Sequence, residues 1–417
     1  MDSIHIQGGI ALQGQVRIQG SKNAALPVLA ATLLTVEQSY IRNCPRIADV
    51  HAMVSLLRKL GCLVTWREEG LQVDSSQVCR GAMRGEAVKG MRSSLCLLGA
   101  LLGRCGEALL EHPGGCVIGE RPIDLHLWAL EQMGARFSEE KGMIQGRTEG
   151  LHGARIALPM PSVGATENII LAGVMAEGDT HITGAAREPE ITALCRYLQN
   201  CGAVIEGAGT DHLLVRGGNN LYGAEFTVPS DRIVAGTYLM ACIGAGGCVH
   251  LEGAPADEMG AVLRTASQMG ASCWPTEEGI CIQASGCPKP VERLSTLPYP
   301  GFPTDLQSAA LAVLAGAEGR SVVEERIFEN RFRVAVELNR MGACIQQLDA
   351  HTVVVRGVRQ LHGAEVAARE LRGGAALVIA GLMAQGKTRV TGCQYIYRGY
   401  ENICRDLREL GARIVSV

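Results

Sequence analysis

An apolar residue followed by glycine and a small residue recurs six times along this chain. The copies are Leu60-Gly61-Cys62, Met133-Gly134-Ala135, Cys201-Gly202-Ala203, Met269-Gly270-Ala271, Met341-Gly342-Ala343 and Leu410-Gly411-Ala412, with glycines 73, 68, 68, 72 and 69 residues apart. Each copy closes a helix-like run and precedes a strand-like one such as Leu63-Val64-Thr65-Trp66, so the glycine reads as a helix C-cap. A second pattern runs in phase with the first. It is a helix rich in small apolar residues, then a glycine turn and a strand, over 23–34, 93–110, 164–182, 232–251, 305–323 and 373–390. Each unit therefore reads helix, strand, loop, helix, turn, strand, strand. A unit of about 70 residues is too small to bury its own apolar faces and must combine with its neighbours. Three units per domain divide the 417 residues into two domains of about 200 residues each. The first helix of every unit carries few charges, so it is buried on most sides. The predicted class is α/β (α+β), with helices inside and sheets outside.

Composition narrows the partners. The chain is 47% hydrophobic and 19% charged, with a net charge of -3. That balance argues against a nucleic-acid or anionic-membrane partner, and any anion site must be local. The N-terminus has neither the basic nor the apolar region of a signal peptide. The longest apolar candidate, 95–110, is broken by Arg104 and several glycines, short of the ~20 residues of a membrane span. The 16 cysteines form no CxxC pair and no regular Cys/His ligand spacing, so no metal site is expected. Without a secretory signal they imply a reducing cytoplasm. Cys195, Cys242, Cys281 and Cys344 sit in apolar runs and are expected in the core.

Cys116 departs from that pattern. In Pro113-Gly114-Gly115-Cys116 it stands on a glycine turn, five residues before Arg121 and ten before His126. Cations lower a thiol pKa and make the thiolate reactive, and a loop can carry it to a ligand. By its own chemistry Cys116 fits either a small buried residue or such a reactive thiol.

The small-residue helices begin at Ser21-Lys22-Asn23, Met91-Arg92-Ser93, Pro161-Ser162-Val163-Gly164, Pro229-Ser230-Asp231-Arg232, Pro303-Thr304-Asp305 and Leu371-Arg372-Gly373. Helix N-termini present free N–H groups and the positive end of the dipole, and they bind anions. Ordinary N-capping accounts for Ser230 and Thr304. It does not account for Lys22, Arg92 or Arg372. If two threefold domains face each other, these helix starts converge on one cleft suited to phosphates and carboxylates. Arg121, Arg331 and Arg398, on loops, add planar forks for the same groups.

Eleven segments in order resemble the UDP-N-acetylglucosamine 1-carboxyvinyltransferases, a family of enolpyruvyl transferases. They are Ser21-Lys22-Asn23-Ala24-Ala25-Leu26-Pro27, Met91-Arg92-Ser93-Ser94, Pro113-Gly114-Gly115-Cys116, Arg121-Pro122-Ile123-Asp124-Leu125-His126, Pro161-Ser162-Val163-Gly164-Ala165-Thr166, Ala186-Arg187-Glu188-Pro189-Glu190, Asp231-Arg232, Pro300-Gly301-Phe302-Pro303-Thr304-Asp305, Phe328-Glu329-Asn330-Arg331-Phe332, Leu371-Arg372-Gly373 and Arg398-Gly399-Tyr400-Glu401. The resemblance covers essentially the whole chain. It implies two inside-out α/β barrel-like domains, each of three βαβαββ-type repeats. One domain would be 22–229, carrying the Cys116 loop, and the other 1–21 plus 230–417, with the active site in the cleft between them.

The implied reaction transfers the enolpyruvyl group of phosphoenolpyruvate to the 3-hydroxyl of UDP-N-acetylglucosamine and releases phosphate, by addition and then elimination. It is the first committed step of peptidoglycan synthesis. By the same resemblance Lys22, Arg121 and Arg398 hold the phosphate and carboxylate of phosphoenolpyruvate, and Asn23 lies close to the reacting centre. Cys116 delivers a proton to C3, can form a covalent adduct, and is alkylated by fosfomycin. Asp305 is the base at the sugar hydroxyl. Arg92, the segment Arg121, Pro122, Ile123, Asp124 and Leu125, then Ser162, Val163, Gly164 and Ile327 bind the UDP-sugar, and Arg331 and Arg372 are cationic cleft residues. No cofactor and no metal are implied. The expected partners are the two small substrates, with no nucleic acid and no membrane, for a cytoplasmic monomer or weak homo-oligomer.

The chain departs from the family pattern at Tyr397 and Glu370, where Asp is usual, at Arg333-Val334, and at Val234, where Glu is common. Two rival readings stand beside the main one. One is a 5-enolpyruvylshikimate-3-phosphate synthase, whose loop lacks the Pro-Gly-Gly-Cys motif. The other is a non-catalytic paralogue that binds UDP-N-acetylglucosamine and regulates.

Overall fold

The computed structural model describes residues 3–78, 81–113, 119 and 122–417. Cys116, Arg121 and the Gly114-Gly115 pair lie outside the described residues. The six Leu/Met-Gly-Ala-type glycines all adopt positive φ, between 86° and 97°. Each glycine N–H bonds the carbonyl three residues back, and the next N–H bonds the carbonyl five back. Gly61 thus reaches Arg58 while Cys62 reaches Leu57, and Gly411 reaches Arg408 while Ala412 reaches Leu407. This is the Schellman closure, which needs a residue without a Cβ penalty at positive φ. The repeated tripeptide is a repeated backbone conformation.

Described residues form six four-stranded sheets. In the third, Arg155–Ala157 runs parallel to Asp179–Thr183, with the helix Val163–Gly173 as the crossover. Asp179–Thr183 then pairs antiparallel with His212–Arg216, which pairs antiparallel with Val204–Glu206. The helix Pro189–Asn200 precedes that last hairpin. The order βαβαββ follows, with the crossover helix inside. Gln307–Ala315 is buried over its whole length, and Leu371–Met383 at every residue but its last. The outer helices are amphipathic instead: Ala48–Lys59 buries Val50, Met53, Val54, Leu56 and Leu57 and exposes its charged face.

Three strands are supplied out of chain order. Glu225–Thr227 completes the sheet of Gln38–Arg42, and Leu12–Arg17 completes that of Gly247–Glu252, each as the parallel strand. Ser3–Gln7 lies between Lys387–Thr391 and Arg413–Ser416, antiparallel to both. The chain accordingly separates into two compact units: among the described residues, one runs from Gly20 to Pro229 without Gly119, and the other holds the residues up to Gln19, Gly119 and those from Ser230 onward. Each has its own buried apolar cluster. In the second unit the helices Arg232–Ala245, Gln307–Ala315 and Leu371–Met383 pack on one another. In the first, Leu97–Cys105 packs against both Lys22–Ala31 and Val163–Gly173.

Two cysteine expectations need correction. Cys195 and Cys242 are fully buried, but Cys281 is only partly so and Cys344 is exposed. Both of the latter lie on strands, where alternate side chains leave the core face. An apolar run on an edge of the core does not reveal which parity faces inward. Among the described residues no helix is long and apolar enough to cross a membrane.

Candidate active site

In the unit from Gly20 to Pro229 the first helix starts with Lys22, capped by Ser21, whose hydroxyl accepts from the Ala24 amide at 3.3 Å. A cation in the first turn opposes the helix dipole. Its counter-charge is Asp49, buried in the first turn of Ala48–Lys59, at 2.7 Å from Lys22 Nζ. Asn23, the next residue, is the one position of its helix that is not buried. Arg92 opens a 3-10 turn, Arg92–Cys96, ahead of the helix Leu97–Cys105. Its guanidinium donates to the Pro122 carbonyl at 3.3 Å, so two sequence-predicted positions meet. Asp124 begins the helix Asp124–Gln132, while Ile123 and Leu125 pack against the apolar core.

Ser162 caps the helix Val163–Gly173 through the Ala165 amide at 3.4 Å, and Thr166 donates to the Ser162 carbonyl at 2.8 Å. Gly164 leaves room for a ring: a Cβ there would lie 2.6 Å from His126 Cε1. His126, met in the sequence as a cation near Cys116, is buried and pairs through Nδ1 with Asn168 Nδ2 at 2.9 Å. Asn168 also accepts from the Gly99 amide at 2.7 Å and donates to the Leu95 carbonyl at 3.1 Å. It locks two inner helices and an outer one together.

The other unit holds the densest charge cluster. Asp305, in the 3-10 turn Thr304–Leu306, bridges two arginines: Oδ1 is 2.6 Å from Arg331 and Oδ2 is 3.0 Å from Arg372. The arginine side chains are 3% and 4% exposed and the aspartate 28%. The acid is thus the solvent-facing part of a buried cationic pair. Arg331 also donates to the Thr304 carbonyl at 3.2 Å. Arg372 lies over the Tyr400 ring and near its hydroxyl, and Tyr400 shares a 2.8 Å bond with Thr237. Burial opposes the Arg372 charge, but the attraction of Asp305, then of Tyr400 and Asp231, outweighs it and holds the guanidinium above its usual range.

The capping expectations at Ser230 and Thr304 are overturned. Asp231 caps the helix Arg232–Ala245, accepting from Ile233 at 2.8 Å and Val234 at 3.0 Å. The Thr304 hydroxyl instead donates to Glu325 at 2.8 Å. Glu325 is fully buried and also accepts from Thr296, Ile327 and Phe328. One carboxylate thereby aligns the Asp305 turn with the Ile327 backbone. Glu370 caps Leu371–Met383 by accepting from the Arg372 and Gly373 amides. Tyr397 turns its hydroxyl to Ser416 at 3.0 Å and packs on the core. Arg398 ends the 3-10 turn Cys393–Arg398.

Asp49, Glu325, Asn168 and Tyr400 were not singled out for these roles in the sequence. The Glu167-Asn168 pair inside an otherwise apolar helix was a visible signal. Asp49, between Ala48 and Val50, was another.

The chain matches the family model described as EPSP synthase (3-phosphoshikimate 1-carboxyvinyltransferase) over residues 6–407. It is 45% identical over 414 residues to a UDP-N-acetylglucosamine 1-carboxyvinyltransferase of Nitratidesulfovibrio vulgaris, covering 99% of each chain. It is 44% identical over 417 residues to UDP-N-acetylglucosamine 1-carboxyvinyltransferase 2 of Caldanaerobacter subterraneus subsp. tengcongensis, covering 100% of each. In fold it is similar to the enolpyruvyl transferase NikO from Streptomyces tendae, with a TM-score of 0.87, 24% identity and coverage of 100% of this chain and 99% of that one. An EPSP synthase from Acinetobacter baumannii is also similar, with a TM-score of 0.76, 20% identity and full coverage of both chains. With the repeat, the fold and the helix-start cations in agreement, the chain belongs to the UDP-N-acetylglucosamine 1-carboxyvinyltransferases, within the wider family of enolpyruvyl transferases.

Proposed function

We propose that this protein transfers the enolpyruvyl group of phosphoenolpyruvate to the 3-hydroxyl of UDP-N-acetylglucosamine and releases phosphate, at the start of peptidoglycan synthesis. The observation that supports it best is the Asp305 carboxylate laid across the two buried arginines Arg331 and Arg372. Lys22, Arg121 and Arg398 neutralise the phosphate and carboxylate of phosphoenolpyruvate, with Asn23 beside the reacting carbon. Arg92, Arg121 to Leu125, Ser162 to Gly164 and Ile327 receive the sugar nucleotide.

In the addition step the Cys116 thiol gives its proton to C3, and positive charge develops at C2. The sugar hydroxyl attacks C2 while Asp305 takes its proton, forming the tetrahedral ketal. Asp305 keeps an exposed edge beside its two arginine contacts, which leaves lone pairs for the hydroxyl. The proton need move only as the new C–O bond forms. In the elimination step the Cys116 thiolate takes a proton back from C3, the C2–O bond to phosphate breaks, and the departing phosphate carries off the proton held by Asp305, leaving the enol ether on the sugar.

The test measures phosphate release from phosphoenolpyruvate with each candidate acceptor. Release is expected with UDP-N-acetylglucosamine and not with shikimate 3-phosphate. The reverse result would move the protein to the shikimate branch. Binding of the sugar nucleotide without release would instead indicate the regulatory paralogue.

A further inference from the structure

Arg398 sits in a segment whose usual acidic neighbour is replaced by Tyr397, and Tyr397 is turned onto Ser416 and the core. The backbone just after Arg398 is held from elsewhere. The Gln19 side-chain amide donates through Nε2 to the Gly399 carbonyl at 3.1 Å and accepts through Oε1 from the Glu401 amide at 2.8 Å. One planar amide therefore spans Tyr400 on both sides, as the edge of a neighbouring strand would. The main chain of Gln19 is fixed too, because its carbonyl accepts from the Asp231 amide at 2.8 Å. Tyr400, within the clamped stretch, is fully buried and bonds Thr237 and Arg372, and Arg372 bonds Asp305. Gly399 packs closely on Leu371, where a Cβ would lie 2.9 Å from Cδ2. The chain after Arg398 thus has fixed points at Gly399, Tyr400 and Glu401.

We infer that Gln19 is a positioning residue for Arg398, setting through the 399–401 backbone where that guanidinium meets the anionic groups of phosphoenolpyruvate. The inference rests on the function proposed above. Gln19 touches no reacting atom. Its effect is geometric, and displacement of a substrate-holding group by about 1 Å can cost up to a hundredfold in rate.

Two variants separate the amide from the bulk of the side chain. Gln19→Met keeps the length and removes both hydrogen bonds, and Gln19→Ala removes the bulk as well. Both are expected to raise KM for phosphoenolpyruvate about tenfold while KM for the sugar nucleotide stays within about twofold. Hydrogen exchange at the Glu401 amide, followed without substrates, is expected to speed up in both. A wild-type phosphoenolpyruvate KM in Gln19→Met, an equal rise in both KM values, or unchanged Glu401 exchange would each overturn the inference. If the wild-type protein releases no phosphate at all, the functional reading fails separately, and Glu401 exchange still decides whether the clamp exists.

Discussion

At the scale of single residues the proposed chemistry depends on a thiol and a carboxylate. Cys116→Ser is expected to lose most turnover while folding normally, because a serine hydroxyl is a far weaker proton donor at neutral pH. Fosfomycin is expected to add once, at Cys116. The exposed cysteines Cys248, Cys287 and Cys344 provide an internal control, and a mass-spectrometric map placing the adduct on one of them would remove the assignment. Asp305→Asn keeps the shape of the bridge to Arg331 and Arg372 but takes away its charge. Turnover is expected to fall by 10²–10⁴, the range for loss of a general base, with sugar-nucleotide binding still measurable by calorimetry. An unchanged rate would exclude Asp305 as the base.

Among the elements, the inner helices carry the main tension. They must be apolar to be buried, yet several begin with charges that the proposed site uses. Lys22 and Arg372 are tolerated in first turns because Asp49 and Asp305 face them. Glu167 is a different case, a carboxyl within the buried helix Val163–Gly173. Burial first, then the nearby Glu190 and Glu188, push it from an ordinary 4.5 up to about 8. The native state therefore keeps a proton that the unfolded chain has lost. The stability this carboxyl contributes is fully present below pH 4.5 and is lost as pH rises through about 8. Glu167→Gln is expected to flatten that decline, with a gain on the order of a few kcal/mol at pH 8 and little at pH 4. Thermal unfolding across that range checks it. Equal melting temperatures for variant and wild type at pH 8 would place the burden on another group.

For the whole molecule the N-terminal strands matter most. Ser3–Gln7 is the inner strand of a sheet whose neighbours lie near the other end of the chain, and Ser3 and Val417 exchange two 2.8 Å backbone bonds. Ile4 is fully buried there. Ile4→Ala is expected to cost about 2–5 kcal/mol, read from denaturant unfolding. Hydrogen exchange should rise in Lys387–Thr391 and Arg413–Ser416, far away in sequence. A loss confined to the first residues would mean that the strand is an appendage and not part of that sheet.

Sequence alone determined the six repeats, the helix-closing glycines, the burial of the inner helices and the cations at their starts. Each of these is local or periodic, so a window of a few residues contains its cause. The family resemblance extended that reading to a reaction and a set of site residues. Tertiary structure alone decided that Asp49 answers Lys22, that Asp305 bridges Arg331 and Arg372, that Asp231 rather than Ser230 caps its helix, and that Cys344 faces outward. It also decided which strands complete which sheets. These are pairings between residues tens to hundreds of positions apart, or choices of strand parity. Only packing makes one partner nearer than all the others.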